Sequence, residues 1–507
     1  MRVAVVGSGV ASITAVRTLC GGDADIKVDW FTARRKMGAT QSAEAKSPTA
    51  RPAPGRPYFD YGCQYMSPYS QPFAQELERW KNIGAATDDF PASILDGGAW
   101  RRLETPGHVG RGGMGPMLET LTLQTAEEFG KQGLKHVSGF PEVEQQAVGL
   151  VRDEIDHRWY LNTKKKQRAF GPFDYVIGAF GHPKRTDPFL QTAGPHTLPL
   201  KNFLKGVRYN QFFALQLVLD DVPAADSNLR ELHACHVVND EVLSFIADNS
   251  KKPHSIADHP DERRRTPKPY LTLISTAQFA QRGAKTDRKQ IQTRMLSSLA
   301  KLLAGTSLPA FQQAYRPRVH RLNFWQDGRP TNLVVEKDSA EGAGCLWDPT
   351  IQLAWCGEFC VAPCVDGAAQ SGAAAGKEVL NHILERRGSS SLIPGGAAGN
   401  PRQNHGQNHP HERYRWIDAD EALGDGAGGM VDIGYFGHLG DDTAIKKQRS
   451  ALTNPKTGAQ VPKRRDQRRD TPAQSKSRTG NKSRRKRNGP TPGKRENQKD
   501  GSQNPIS

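Results

Sequence analysis

Three cysteines spaced four residues apart, Cys356, Cys360 and Cys364, open the stretch CGEFCVAPCVDGAAQSGAAAG. Thiolates can hold zinc or an iron–sulfur cluster, or form a redox-sensing pair, but a metal needs converging ligands and a fourth donor. The first cysteine ends an apolar strand pattern, and the other two precede a small-residue helix. The HACH stretch at 233–236 also offers three close ligands without a fourth. We expect no metal at either place; the cysteines fit small buried spaces, and a redox-sensing pair stays open.

A glycine-rich turn near the N-terminus has the spacing of a dinucleotide site. It follows the apolar run RVAVV and precedes a helical pattern. Gly7 permits a tight turn, and Gly9 lets the backbone approach a pyrophosphate at the helix N-terminus. Ser12 replaces the usual third glycine and is small enough for close helix–sheet packing. An ordinary turn between strand and helix is the alternative. The predicted site comprises Gly7, Ser8, Gly9, Val10, Ala11 and Ser12.

The end of the second strand pattern, IKVDWF, departs from the usual dinucleotide pattern. A carboxylate normally stands there and accepts hydrogen bonds from the adenosine ribose. In this sequence the position is Thr32, followed by Ala33 and Arg34. A hydroxyl can still bond the ribose, and an arginine can meet a phosphate. We therefore expect the adenosine half of the dinucleotide to contact these three residues.

The net charge of +17 is concentrated near the C-terminus. Residues 446–507 contain 19 Lys or Arg and 4 Asp or Glu, so residues 1–445 are close to neutral. Seven cysteines in 507 residues do not indicate a disulfide framework. No apolar run approaches the roughly 18 residues of a membrane span. The first residues, MRVAVVG, leave no room for a signal peptide, and we expect a cytoplasmic or nuclear protein.

Five stretches along the chain form an ordered set: YFDYGCQYM (58–66), TPGHVGRGGMGPML (105–118), LSFIADNSKKP (243–253), VHRLNFW (319–325) and the C-terminal stretch 355–376. Taken in order, they resemble the renalase-like branch of the FAD-dependent amine oxidase family. Lys36–Thr40 falls where that family carries Gly-Gly-Arg, and here only Gly38 matches. The resemblance spans about residues 1–386.

The resemblance implies FAD as the cofactor and assigns roles to residues outside the glycine turn. Glu358 would accept hydrogen bonds from ribityl hydroxyls, and the helix start near Gly367 would face the flavin ring with small residues packed beside it. His320, in VHRLNFW, would face the flavin or the substrate, although a structural histidine is an equal alternative. The remaining implied cofactor contacts are Gly38, Gln64, Val143 (a main-chain contact to adenine), Gly357, Val365 and Ala368.

The expected fold class is α/β, with a Rossmann-type FAD-binding domain and an interleaved mixed-sheet α+β substrate domain. A linker with a short motif is expected at 387–445 and a disordered basic tail at 446–507. The FAD-binding domain is expected from 1–70, 100–185 and 340–386, and the substrate domain from 71–99 and 186–339.

The function that this implies is hydride transfer from a reduced small molecule to flavin. The resemblance suggests a dihydro-nicotinamide isomer or an amine as the substrate, and O2 as the acceptor that yields H2O2. The rival hypothesis is a catalytically silent flavoprotein-like scaffold. In either case the basic tail is expected to bind polyanions or the nuclear-import machinery, or to be a solvated extension without function.

Overall fold

The structure, a computed structural model, describes most of the chain up to residue 419. The described residues are 1–22, 25–32, 42–44, 58–96, 98–103, 107–138, 149–162, 168–180, 183–223, 226–252, 268–337, 343–391 and 413–419.

Ten α-helices and 22 β-strands occur in these residues. The helices are α1 (Val10–Cys20), α2 (Gln71–Asn82), α3 (Met114–Gly130), α4 (Pro183–Gln191), α5 (Leu198–Leu204), α6 (Ser227–Glu231), α7 (Ala277–Gly283), α8 (Arg288–Ala304), α9 (Leu308–Tyr315) and α10 (Val365–Ser391). The strands are β1 (Arg2–Val6), β2 (Lys27–Thr32), β3 (Ser42–Glu44), β4 (Tyr58–Asp60), β5 (Ala86–Phe90), β6 (Ala92–Asp96), β7 (Ala99–Arg102), β8 (Gly107–Gly110), β9 (Leu134–Ser138), β10 (Gly149–Arg152), β11 (Trp159–Asn162), β12 (Phe170–Phe173), β13 (Tyr175–Gly178), β14 (Phe212–Leu219), β15 (Ala234–Val238), β16 (Leu243–Asp248), β17 (Tyr270–Ser275), β18 (Pro317–Trp325), β19 (Asn332–Glu336), β20 (Leu346–Asp348), β21 (Leu353–Trp355) and β22 (Tyr414–Asp418).

A six-stranded sheet contains the N-terminal strand at its centre. Its order is β20-β21-β13-β1-β2-β9, and every pair is parallel except β20 with β21. Val3 and Val5 face a core formed with α1, α3 and α10, whereas Ala4 and Val6 face a second core formed with β10–β12, α4 and α5. Because both faces are buried, the strand is a continuous apolar run rather than an alternating one.

A seven-stranded sheet of order β18-β14-β17-β16-β15-β6-β7 forms a separate layer. Neighbours are antiparallel except β15 with β6. Its apolar side chains on one face pack with α7, α8 and α9. The other face packs against aromatic residues that include Phe59, Tyr65 and Phe90. The predicted α/β class is confirmed, with both parallel and antiparallel sheets present.

Part of the expected linker at 387–445 is structured. Helix α10 continues to Ser391, and β22 pairs antiparallel with β19. Trp416 stacks on Phe203 with ring centroids 4.9 Å apart, and Tyr414 is buried. The linker expectation is therefore corrected for these residues, because a short aromatic strand pairs with β19 and covers the apolar side chain of Phe203. The predicted tail lies outside the described residues, and none of the described helices has the length and apolarity needed to span a bilayer.

Candidate functional site

The carboxyl ends of four parallel strands lie at one edge of the six-stranded sheet. Gly7 follows β1, Thr32 ends β2, Ala179 follows β13, and Gly357 and Glu358 come just after β21. Ligands of open parallel sheets bind at this edge, outside the strand ends. The topology thus brings the glycine turn, Thr32 and the Gly357–Glu358 pair to the same edge.

Gly7 has no room for a side chain. Its N–H donates to the Phe31 carbonyl oxygen at 3.0 Å, and its own carbonyl oxygen accepts from Trp30 Nε1 at 3.1 Å. A Cβ atom here would lie 2.7 Å from the Ala179 carbonyl oxygen. The tight turn therefore requires glycine at this position.

Gly9 is different, because a Cβ atom here would meet nothing within 4 Å. Gly9 caps α1 without a side-chain hydrogen bond, and the first turn, which starts with Val10 and Ala11, carries no acidic residue. Ser12 Oγ donates back to the Gly9 carbonyl oxygen at 2.8 Å, and Ser8 lies partly exposed in the turn. Open space beside Gly9 and a helix start without a side-chain cap are features that an anion site requires.

Ser12 stands at the third position of the glycine motif and is fully buried. Close packing around α1 is achieved from the other side, by α10. A Cβ atom on Gly372 would overlap the Ala11 carbonyl oxygen, and one on Gly376 would lie 2.8 Å from Thr18 Cβ. Small residues of α10 were expected beside a flavin ring; these two glycines instead let α10 approach α1.

Thr32 lies at the sheet edge, but its hydroxyl has a protein partner. Thr32 Oγ1 and His136 Nε2, on the neighbouring strand β9, are hydrogen-bonded at 2.9 Å. Burial lowers the pKa of His136, which keeps this imidazole neutral. The remaining predicted contacts to the adenosine and pyrophosphate, Ala33, Arg34, Gly38 and Val143, lie outside the described residues.

Glu358 is a partly buried carboxyl group just beyond β21. Burial raises its pKa to about 7, and the positive charge of Arg329 opposes that rise. The preceding Gly357 is held in place because its N–H donates to Ser371 Oγ on α10 at 3.0 Å. A carboxyl group with this pKa changes between its donor and acceptor forms near neutral pH.

The start of α10 does not offer the free N–H groups that were expected. The Gly367 N–H donates to Cys364 Sγ at 3.2 Å, and the Ala368 N–H donates to the Cys364 carbonyl oxygen at 3.0 Å. Val365 begins the helix, and Asp366 follows it with a carboxylate. The Ala368 bond is the ordinary first hydrogen bond of the helix, but the Gly367 bond takes up an N–H group that was expected to face a flavin carbonyl, and the expectation is corrected for Gly367.

Gln64 is buried, and its amide is bonded within the chain. Its Nε2 donates to the carbonyl oxygens of Asp60 and Gly62 at 2.8 and 3.1 Å. Its Oε1 accepts from Lys252 Nζ at 3.2 Å. The side chain thus fixes the turn of segment 58–66 rather than ending in open space.

His320 lies on β18, the edge strand of the seven-stranded sheet. Its ring stacks on Phe59 with centroids 5.3 Å apart. Burial, followed by the charges of Arg318 and Arg321, lowers its pKa, so the ring is neutral at neutral pH. Its Nε2 atom is buried and has no hydrogen-bond partner among the described residues.

The cysteines of the stretch 356–364 are all buried. Burial raises the pKa of Cys360 and of Cys364 to about 12, so both thiols stay protonated and unreactive at neutral pH. In HACH, His236 is bonded to Tyr65 Oη at 2.7 Å. The part of the chain that the structure describes contains no cluster of three metal-ligating side chains.

Two features near this site were missed from the sequence. Lys252 and Asp60 form an ion pair at 2.7 Å, and both side chains are fully buried. Gln216 is a fully buried polar residue on β14. A signal for it existed, since it is the one polar residue in the apolar run FFALQLVL.

No protein-family model matches the sequence. Solved structures similar to this chain include a protein from Exiguobacterium sp. 255-15 with a provisional assignment as a protoporphyrinogen oxidase (11% identity, 75% of this chain and 98% of that one, TM-score 0.49). An oxidoreductase from Methanosarcina mazei is 11% identical over 76% of this chain and 100% of that one, with a TM-score of 0.47. Cyclohexylamine oxidase from Brevibacterium oxydans IH-35A is 12% identical over 76% of this chain and 99% of that one, also with a TM-score of 0.47.

Proposed function

We propose that the protein is an FAD-dependent oxidoreductase. The observation that carries the proposal is the open space beside Gly9 at the uncapped start of α1. A pyrophosphate in that space would meet backbone N–H groups and the positive end of the helix. Glu358 lies at the same sheet edge, two strands from β1, where its carboxylate can accept hydrogen bonds from the hydroxyls of a bound cofactor. These residues fit FAD.

FAD, when bound, supplies the hydride acceptor, and the protein binds and orients the substrate. We propose that the substrate lies on the face of the seven-stranded sheet that packs against segment 58–66. His320 stays neutral there, so its Nε2 atom can either donate one hydrogen bond to the substrate or accept one from it. The proposed reaction is oxidation of a dihydro-nicotinamide isomer or an amine, with O2 as the final acceptor that yields H2O2.

The absorbance spectrum of the purified full-length protein, with and without added FAD, tests the cofactor. A Gly9→Val variant sharpens this test, because the new side chain enters open space in the protein but occupies the proposed pyrophosphate position. We expect it to fold normally and to lose the flavin bands. Gly130→Val is the matched control, since a Cβ atom at Gly130 also meets nothing within 4 Å. Equal flavin content in both variants would refute the proposed site.

The second candidate is a silent flavoprotein-like scaffold. The observation in its favour is that Thr32, which replaces the usual acid, already has its hydroxyl bonded to His136. A colourless protein that takes up no added FAD would support the scaffold. Bleaching of bound flavin by anaerobic addition of a dihydro-nicotinamide isomer or of an amine would support the enzyme and identify its substrate class.

We also propose that the basic tail, residues 446–507, binds polyanions independently of the folded region. Its charge favours an interaction that weakens steeply with salt. Deletion of the chain after residue 445 should abolish retention on heparin and leave flavin content unchanged. Unchanged retention, together with unchanged cellular location, would contradict this proposal.

A further inference from the structure

Three buried polar atoms on two neighbouring strands have no hydrogen-bond partner among the described residues. They are Gln216 Nε2 on β14, and His320 Nε2 and Trp325 Nε1 on β18. A buried donor without an acceptor is costly, and most such groups in native proteins find a partner. Three of them on two adjacent strands at one edge of the sheet indicate a place where a bound molecule supplies the hydrogen-bond partner.

The strand register places Gln216 and Trp325 on one face of the sheet. Gln216 lies opposite Arg321, and Trp325 lies opposite Phe212, four residues along β14. The alternate residues of β14 point to the helix-covered face and belong to its core. Gln216 and Trp325 therefore point toward segment 58–66, which covers the other face.

Two of the three side chains, His320 and Trp325, contact the same aromatic cluster. His320 stacks on Phe59, and Trp325 packs against the cluster that contains Phe59 and Tyr61. The guanidinium group of Arg321 lies 5.2 Å from the ring centroid of Tyr61. This arrangement makes an aromatic wall beside hydrogen-bond donors, which suits a flat ring with a polar substituent.

The orientation of Gln216 is set by a neighbour. Asn323 Nδ2 donates to Gln216 Oε1 at 3.3 Å, so the unpartnered end of the amide is its NH2 group. Trp325 Nε1 is also a donor and cannot accept. The bound group must therefore present acceptor atoms, as a carboxylate does and an ammonium group does not.

The charge around the edge strand agrees with an anionic ligand. A cavity of about 590 Å³ runs along β18, and the described residues that line it include two arginines, Arg288 and Arg321, and no carboxylate. His320 and Asn323 also line this cavity, and Asn323 is the residue that bonds Gln216; Gln216 and Trp325 themselves do not line it.

We propose that Gln216 and Trp325 bind the carboxylate of a small aromatic acid. Binding itself needs neither flavin nor turnover. His320 completes the ring of polar atoms beside the same aromatic wall.

Calorimetric titration of the full-length protein with benzoate tests the proposal, and benzylamine is the oppositely charged probe. We expect benzoate to bind and benzylamine not to bind. Trp325→Phe and Gln216→Leu should each weaken benzoate binding about tenfold, the usual effect of losing a hydrogen bond to a charged group. Trp100→Phe, at the opposite edge of the same sheet, should leave binding unchanged.

Misfolding is separated from lost binding by the urea midpoint of each ligand-free variant. Trp325→Phe removes a donor without a partner, so its midpoint should not fall below that of the wild type. Benzoate binding that is equal in all variants, or tighter binding of benzylamine, would overturn the proposal. A colourless protein that still binds benzoate through these residues would refute the proposed oxidoreductase and leave the acid site standing.

Discussion

The buried ion pair of Lys252 and Asp60 holds segment 58–66 against the seven-stranded sheet. The Lys252 ammonium lies 2.7 Å from the Asp60 carboxylate and also donates to Gln64 Oε1 at 3.2 Å. The second Asp60 oxygen accepts the N–H of Met114, the first residue of α3, at 2.9 Å. Because both charges are out of water, Lys252→Met leaves a buried carboxylate without a counter-charge. We expect it to lower the free energy of unfolding by about 3–5 kcal/mol.

Urea unfolding followed by tryptophan fluorescence measures this change through the midpoint and slope. The double variant Asp60→Asn/Lys252→Met removes both charges, while an asparagine oxygen can still accept the Met114 N–H. The loss of unfolding free energy in the double variant should be at least about 1 kcal/mol smaller than the sum of the losses in Lys252→Met and in Asp60→Asn alone. That difference is the coupling energy between the two groups.

The exposed ion pair of Lys268 and Asp220, at 2.8 Å, supplies the control. Lys268→Met should cost less than about 1 kcal/mol, because solvent screens exposed charges. If Lys252→Met costs no more than Lys268→Met, the reasoning from burial is wrong. Additive costs in the double variant would likewise show that Lys252 and Asp60 do not interact as the structure places them.

Three further predictions concern packing, pH and chain length. Gly372→Ala should lower the free energy of unfolding by about 1–3 kcal/mol, because its methyl group overlaps α1. Gly388→Ala, in the same helix but facing open space, should not lower it, and thermal unfolding compares the two variants. The pKa of Glu358 is about 7 in the folded protein and near 4.5 in the unfolded chain, so the unfolded chain loses this proton first as the pH rises. The free energy of unfolding of the wild type should therefore fall, relative to that of Glu358→Gln, between about pH 4.5 and pH 7. Urea titrations at pH 4.5 and 8 should show that the difference in unfolding free energy between the two proteins changes by about 3 kcal/mol. A difference that is the same at both pH values would contradict this prediction. A chain that ends at residue 391 lacks β22 and uncovers Phe203, so it should unfold at lower urea than a chain that ends at residue 445.

The strand–turn–helix at the N-terminus could be predicted because its determinants are adjacent in the sequence. The run RVAVV, two glycines and a helical pattern are enough to place β1, Gly7, Gly9 and α1. The ends of parallel strands meet at one edge, so Glu358 could be expected near that turn once a parallel sheet was assumed.

Features that depend on contacts between distant residues could not be predicted in this way. Asp60 and Lys252 are 192 positions apart, and nothing local in either segment pairs them. The same holds for the glycines of α10. Their small size suggested space for a flavin ring, but in the structure α1 occupies that space. Tyr414–Asp418 was expected only as part of a linker with a short motif. Its pairing with β19 could not be predicted, because a short strand in a polar region gains its stability from the partner strand and from Phe203.

Two helices begin at the same edge of the parallel sheet, and only one is suited to an anion. At the start of α10 the Cys364 sulfur accepts the Gly367 N–H, and Asp366 adds a negative charge. At the start of α1 no side chain caps the helix, and the space beside Gly9 is open. The pyrophosphate of the proposed dinucleotide would therefore lie at α1. Cys364, which first suggested a metal ligand, acts instead as the cap that closes the alternative position.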